Sequence, residues 1–363
     1  MGFKCGLVGL PNVGKSTLFS AITSVAVEAA NFPFCTVEPN WGVVPVNDSR
    51  LNEVAEIAGS KKITPASLTI VDIAGLIEGS SRGEGLGNRF LGHIREMDLL
   101  LHVVRDFESP NVSHLPGEPD PLRDIDIVQL ELNMADLESL EKRTSKLEYD
   151  FKANKKEARV EQALIDRAAE HLNQGNPIRT LPVDSKEQSW VNEWQLLTNK
   201  PVLYVVNTDE DRLAQNASLS VVDKIQKTHD APAISICASL EAELAGLDPD
   251  EKSLFQEEYG LDETGLERLV KLGYDYLDLV TFFTVKGEEA RAWSVPQQTT
   301  AKKGAGKVHS DMEKGFIAAE VINWEDLVRI GSVGTAREKG LLRLEGKDYL
   351  IRDGDVLFFR FKA

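Results

Sequence analysis

Near the start of the chain, Gly9-Leu10-Pro11-Asn12-Val13-Gly14-Lys15-Ser16-Thr17 has the spacing of a phosphate-binding loop, Gly-x-x-x-x-Gly-Lys-Ser. Glycines let successive backbone N–H groups curl around an anion, and the helix expected to start here adds the partial positive charge of its N-terminus. Asn12, Val13, Gly14, Lys15, Ser16 and Thr17 are therefore the expected nucleotide contacts. Lys15 serves the β- and γ-phosphates and Ser16 Oγ ligates Mg²⁺, the cofactor that accompanies a triphosphate substrate.

Two further segments would complete a hydrolytic site. Asp72-Ile73-Ala74-Gly75 closes an apolar run; Asp72 is expected to hold a water on Mg²⁺, and the Gly75 N–H to donate to the γ-phosphate. Thr36, in Asn31-Phe32-Pro33-Phe34-Cys35-Thr36, is the hydroxyl expected to close over the γ-phosphate and the metal. Gly79, Gly83, Gly85 and Gly87 suit the segment 78–88 to a mobile switch. Leu76 stands directly after Gly75, where Ras-like GTPases carry a water-orienting Gln, and a leucine cannot hydrogen-bond water. His114, in the polar loop 108–120, is the candidate to take that role, because imidazole accepts or donates near neutral pH. Lys15, Gly75 and His114 form the expected catalytic set, with a low intrinsic rate.

The base is expected at Asn207-Thr208-Asp209-Glu210, where related layouts place Asn-Lys-x-Asp to read guanine. Here Thr208 replaces the lysine, and Glu210, one methylene longer, replaces the aspartate. Losing a paired buried hydrogen bond costs about 1–3 kcal/mol, so guanine specificity is weakened and adenine is admitted. ATP and GTP both stay open on these residues. Cys237-Ala238-Ser239 either backs the base or simply ends a strand.

The elements that must position these residues follow from periodicity. Lys4 to Val8, Ser67 to Asp72, Leu99 to Val104, and Pro201 to Asn207 are short apolar or β-branched runs, as in strands buried on both faces of a parallel sheet. An α/β class follows. Between Ile127 and Leu172, Leu130, Met134, Leu137, Leu140, Thr144, Leu147 and Phe151 recur at three or four. Lys152 to Lys156 interrupts the pattern, and Val160, Leu164, Ala168 and Leu172 resume it. An antiparallel helical hairpin arm is predicted. Around its tip, from Glu141 to Arg159, seven basic residues face four acidic ones, which suits either a solvated surface or an RNA contact. The tail alternates β-type runs (282–285, 315–321, 356–361) with a helix over 324–330, an α+β module. Lys302, Lys303, Lys307 and His309 are placed in one Gly-containing loop there.

With 41 Lys and Arg against 58 Asp and Glu, the net charge of −17 argues against a whole-molecule clamp on nucleic acid and leaves room for a local basic patch. From residue 282 onward, however, 14 basic residues meet 12 acidic ones. Cys5, Cys35 and Cys237 are far apart and odd in number, reading as reduced thiols in a cytoplasmic protein. No run approaches the ~20 apolar residues of a membrane span.

Together, the phosphate loop, Asp72-Ile73-Ala74-Gly75-Leu76-Ile77-Glu78-Gly79 and Gly83-x-Gly85-Leu86-Gly87 resemble the Obg-type P-loop proteins. Asn-x-x-Glu at 207–210 and Gly306-Lys307-Val308-His309-Ser310-Asp311 to Gly315-Phe316 point to one branch, the YchF or Obg-like ATPase family. The resemblance extends over the whole chain. It implies a P-loop domain with a mostly parallel sheet (1–125 and 199–278), an inserted coiled-coil arm (126–198) and a β-grasp-like TGS domain (279–363). It further implies ATP hydrolysis in preference to GTP, dependence on Mg²⁺, and association with the ribosome through its 50S subunit, with RNA touched by the arm tip and the TGS loop. A monomer is expected. The competing expectations are an Obg-like GTPase and a nucleotide-stabilised RNA- or protein-binding scaffold.

Overall fold

The computed structural model describes residues 3–28, 41–73, 86–109, 117–152, 156–248, 251, 254 and 263–362 of the 363-residue chain. Its first half builds β1 (Phe3–Val8), α1 (Lys15–Glu28), β2 (Trp41–Val46), α2 (Ser49–Ala58), β3 (Lys62–Thr64), β4 (Ala66–Asp72), α3 (Leu86–Arg95), β5 (Leu99–Asp106), α4 (Pro121–Lys152) and α5 (Lys156–Asn173). Then follow α6 (Ser185–Trp194), β6 (Val202–Thr208), α7 (Glu210–Ala214), α8 (Leu219–His229), β7 (Ala233–Ile236) and α9 (Ala238–Leu244). Helix Gly265–Tyr276 leads into β8 (Leu279–Lys286), β9 (Glu289–Pro296), β10 (Phe316–Asn323), β11 (Arg343–Glu345) and β12 (Asp355–Phe361).

The first sheet has the order β2-β4-β1-β5-β6-β7. Only β2 runs antiparallel to its neighbour; β4, β1, β5, β6 and β7 are parallel. Every residue of β6 is buried, as is all of β5 up to Arg105, which is why these strands read as continuous apolar runs without alternation. The phosphate loop follows the C-terminal end of β1, and Asp72, Asp106 and Thr208 end β4, β5 and β6, where open α/β sheets bind ligands.

The arm departs from the simple periodicity. α4 starts at Pro121, six residues earlier than predicted, because Asp120 Oδ1 accepts from the N–H groups of Leu122 and Arg123, both at 3.2 Å, and proline suits a first helical turn. Its first half packs Ile125, Val128, Leu132 and Ala135 into the core of the first sheet. Further along, Leu140 and Leu147 join Ala158, Leu164, Ile165, Ala168, Leu172, Val191 and Trp194 in a separate core shared with α5 and α6. One helix thus serves two cores, and Leu130 and Val160, expected on the buried face, are more than half exposed. Asp136 ties the arm to its root. This buried carboxylate accepts from the N–H groups of Leu197 and Thr198, both at 2.8 Å, and from Thr198 Oγ1 at 2.7 Å.

The second sheet runs β11-β10-β12-β8-β9-β3, a mixed sheet with the parallel pair β12/β8 at its centre. Its last strand is β3, contributed from residues 62–64 and paired in parallel with β9. α2 also packs on this side, placing Leu51, Val54 and Ala55 in one core with Phe283, Ala290, Ala292, Ile322 and Val356. Arg50 bridges Asp48 at 2.8 Å and Asp353 at 2.5 Å. Lys302, Lys303 and Lys307 lie on a helix, Ala301–Val308, rather than in the predicted loop. Thr300 caps that helix, and Gly304 is there because a Cβ would collide with Ile351, not because the backbone needs freedom.

Candidate functional site

The loop after β1 takes its shape from two glycines and one asparagine with positive φ: Gly9 at 147°, Asn12 at 64° and Gly14 at 96°. A side chain at Gly9 would strike the Val103 carbonyl, and one at Gly14 would strike the Asn207 amide. α1 then opens with no acidic residue in its first turn, so its free N–H groups keep their attraction for an anion. Lys15 is 7% exposed and folds back over its own loop, its ammonium donating to Gly9 O at 3.1 Å and Leu10 O at 2.6 Å. Burial lowers its pKa to about 8, against the opposing pull of Asp72. Ser16 Oγ donates to Asp72 Oδ2 at 3.3 Å. Burial pushes the Asp72 carboxyl up, while Lys15 and Ser16 draw it down. A buried ammonium, a hydroxyl and a carboxylate therefore converge at the mouth of the phosphate loop. Thr17 and Ser16 are exposed in the first turn of α1, and Val13 is buried beneath it.

At the base end, Asn207 does more than its motif suggests. Its Nδ2 donates to Val13 O at 2.9 Å, and its Oδ1 accepts from Ala238 N at 3.0 Å. One buried amide thereby clamps the phosphate loop to the turn that opens α9, and Ala238 serves as an anchor for that amide. Thr208 is buried, its hydroxyl turned to the Asp106 carbonyl at 3.3 Å, so it presents no cation to a base. Asp209 caps α7 by accepting from Arg212 N at 2.8 Å, and Glu210 opens that helix exposed to solvent. Arg212 also forks onto Asp106, at 2.9 Å, a pair that no motif signals.

The chain is 47% identical over 363 residues to the Ribosome-binding ATPase YchF of Haemophilus influenzae, each chain covered in full. The chain belongs to the YchF family. It is 44% identical to the Ribosome-binding ATPase YchF of Bacillus subtilis, again with full coverage of both. Residues 4–131 match the family model described as 50S ribosome-binding GTPase, and residues 279–362 match the YchF-GTPase C-terminal model, described as a protein of unknown function (DUF933). Among solved structures, that of the Schizosaccharomyces pombe YchF GTPase superposes with a TM-score of 0.86 at 33% identity, covering 99% of this chain and 98% of that one. The YchF fold is thus shared along the whole chain, including the mostly parallel sheet and the α+β tail.

Of the residues expected from sequence, the structure places Asn12, Val13, Gly14, Lys15, Ser16, Thr17, Asp72, Asn207, Thr208 and Glu210 at or just after the C-terminal ends of β1, β4 and β6. Thr36, Gly75 and His114 lie outside the described residues, as do Leu76 and Lys155. Ser16 and Asp72 fit a hard cation such as Mg²⁺, which takes few protein oxygens and keeps its remaining shell for water and phosphate. Among the described residues no cluster of three or more His, Cys, Asp or Glu offers a closed metal cage, and no helix is long and apolar enough to cross a membrane. A cavity of about 620 Å³ lies elsewhere, between the first sheet, helix Gly265–Tyr276 and the tail.

Proposed function

We propose that this chain is a slow Mg²⁺-dependent ATPase whose nucleotide state governs docking on the ribosome. The observation that carries the reading is the convergence of buried Lys15 with the Ser16–Asp72 pair, 3.3 Å apart, at the mouth of a phosphate loop. Lys15 exchanges its two carbonyl acceptors for β- and γ-phosphate oxygens, and the loop N–H groups complete the cradle. Mg²⁺, when bound, would supply charge neutralisation for the triphosphate; Ser16 would hold it directly and Asp72 through water, with Thr36 as a further oxygen donor. Gly75 N–H donates to the γ-phosphate, and His114 orients the attacking water that Leu76 cannot hold. The preference for ATP over GTP is supported by Thr208 and Glu210, which remove both the lysine and the short carboxylate suited to guanine.

The curated relatives carry the name ATPase, whereas the solved relative and the matched family model are titled GTPase. A GTPase is therefore the second reading. Titrating fluorescent ATP and GTP analogues, with and without Mg²⁺, decides between them: ATP tighter than GTP only with the metal is expected, and equal affinities would overturn the assignment. Turnover with and without ribosomes separates a switch from a scaffold. The ribosome contact, placed on the 50S subunit, and contact with RNA are assigned to the arm tip and to the basic helix Ala301–Val308. The division into a P-loop domain, an arm and a TGS domain, with a cytoplasmic, monomeric protein, completes the proposal.

A further inference from the structure

The turn that carries Glu210 holds more negative charge than a base-reading site needs. Asp209, Glu210 and Asp211 follow one another, and Arg212 is the one cation between Asn207 and Arg212. Asp106 brings a further carboxylate from β5, its side chain 10% exposed. Arg212 meets that carboxylate as a fork, with Nη2 2.9 Å from Oδ1 and 3.1 Å from Oδ2, and Nε 3.3 Å from Oδ2. Planar two-point pairing of this kind fixes direction as well as distance. The turn is then held from three sides: Asn207 by Val13 and Ala238, Asp209 by the Arg212 N–H, and the start of α7 by the fork to Asp106.

We propose that Arg212, anchored on Asp106, is a positioning residue for nucleotide selection: it holds Glu210 at the base edge and offsets the negative charge of the neighbouring carboxylates. The inference rests on the reading of Glu210 as the residue that meets the base. Glu210 opens a helix of five residues and is exposed, so its own packing does not fix its carboxylate. Selection between purines requires that fixation. Adenine offers one exocyclic amine at this edge, whereas guanine offers N1–H and N2–H₂ to a carboxylate free to shift. With the fork in place, the turn cannot slide to suit guanine. Without it, Asp106 keeps a buried, unpaired charge and the turn moves away from it.

The test compares Arg212→Gln, Asp106→Asn, the double variant and Arg212→Lys with Glu210→Ala as reference, using fluorescent ATP and GTP analogues. Arg212→Gln is expected to weaken ATP binding roughly five- to tenfold and GTP binding less than about twofold, with the loss in KM and kcat held within about twofold. Asp106→Asn should reproduce this, and the double variant should be no worse than the weaker single one, as coupled partners require. Arg212→Lys should recover part of the ATP affinity. If Glu210→Ala changes the ATP-to-GTP ratio while Arg212→Gln lowers only the melting temperature, the positioning role is overturned. If Glu210→Ala leaves the ratio unchanged, the reading of the base site falls and this inference falls with it.

Discussion

Lys15 titrates where it can be watched. Burial lowers the pKa of its ammonium to about 8, and a bound triphosphate favours the charged form. Below that pKa the lysine is already protonated and binding needs no proton. Above it, ATP must bring one in, so affinity should fall by up to about tenfold per pH unit. Calorimetry at pH 9 in two buffers of different ionisation enthalpy should show proton uptake on binding; no uptake would mean that Lys15 stays away from the phosphates. Two substitutions probe the other ends of the site. Thr208→Lys with Glu210→Asp should swing preference toward GTP by about 1–3 kcal/mol, read as the ratio of the two dissociation constants. His114→Ala should lower kcat at least about tenfold, or about 1.4 kcal/mol of barrier, with ATP affinity little changed; wild-type turnover would leave the water to another group. The phosphate loop was legible from sequence because its residues are neighbours along the chain. Asn207's role as a clamp was not: its partners stand 194 and 31 residues away, and a motif written for the base says nothing of the loop beneath it.

The arm shows what periodicity reads at the scale of an element and what it misses. The spacing of Leu140, Leu147, Leu164, Ala168 and Leu172 announced two helices that pack on each other, and these residues do share one core. What it could not show was that α4 changes its buried face midway, since a single helical stripe assumes a single neighbour. The join between the two cores rests on Asp136, which is fully buried. Asp136→Ala strips an acceptor from two main-chain N–H groups and a hydroxyl, and each orphaned donor costs on the order of 1–3 kcal/mol. A lower urea midpoint with unchanged ATP affinity is the expected outcome. An unchanged midpoint would mean that water replaces the carboxylate. The lysines of helix Ala301–Val308 illustrate a different limit. Gly304 and Gly306 read as loop, yet the helix forms because Thr300 caps it and Gly304 lets Ile351 lie against its backbone.

For the whole molecule, charge and connectivity set the terms. A protein of net charge −17 reaches an RNA-rich partner only through local basic surfaces. Reversing Lys152, Lys155 and Lys156 to Glu should weaken co-sedimentation with ribosomes and flatten its salt dependence, leaving ATP affinity intact. Unchanged sedimentation across several salt concentrations would move the contact to helix Ala301–Val308. Connectivity was the least legible feature, because β3 is three residues long and its partner strand lies 227 positions downstream. That pairing bears on the order in which the chain is made. α2 and β3 leave the ribosome before β9 and most of the residues that cover Leu51, Val54 and Ala55, which emerge more than two hundred residues later. At about 5–20 residues per second, the nascent chain carries a bare apolar helix face and an unpaired strand for roughly 10–50 s of its own synthesis. A later-made part completes an earlier one, and a chain released between the two exposes an edge on which other chains can pair.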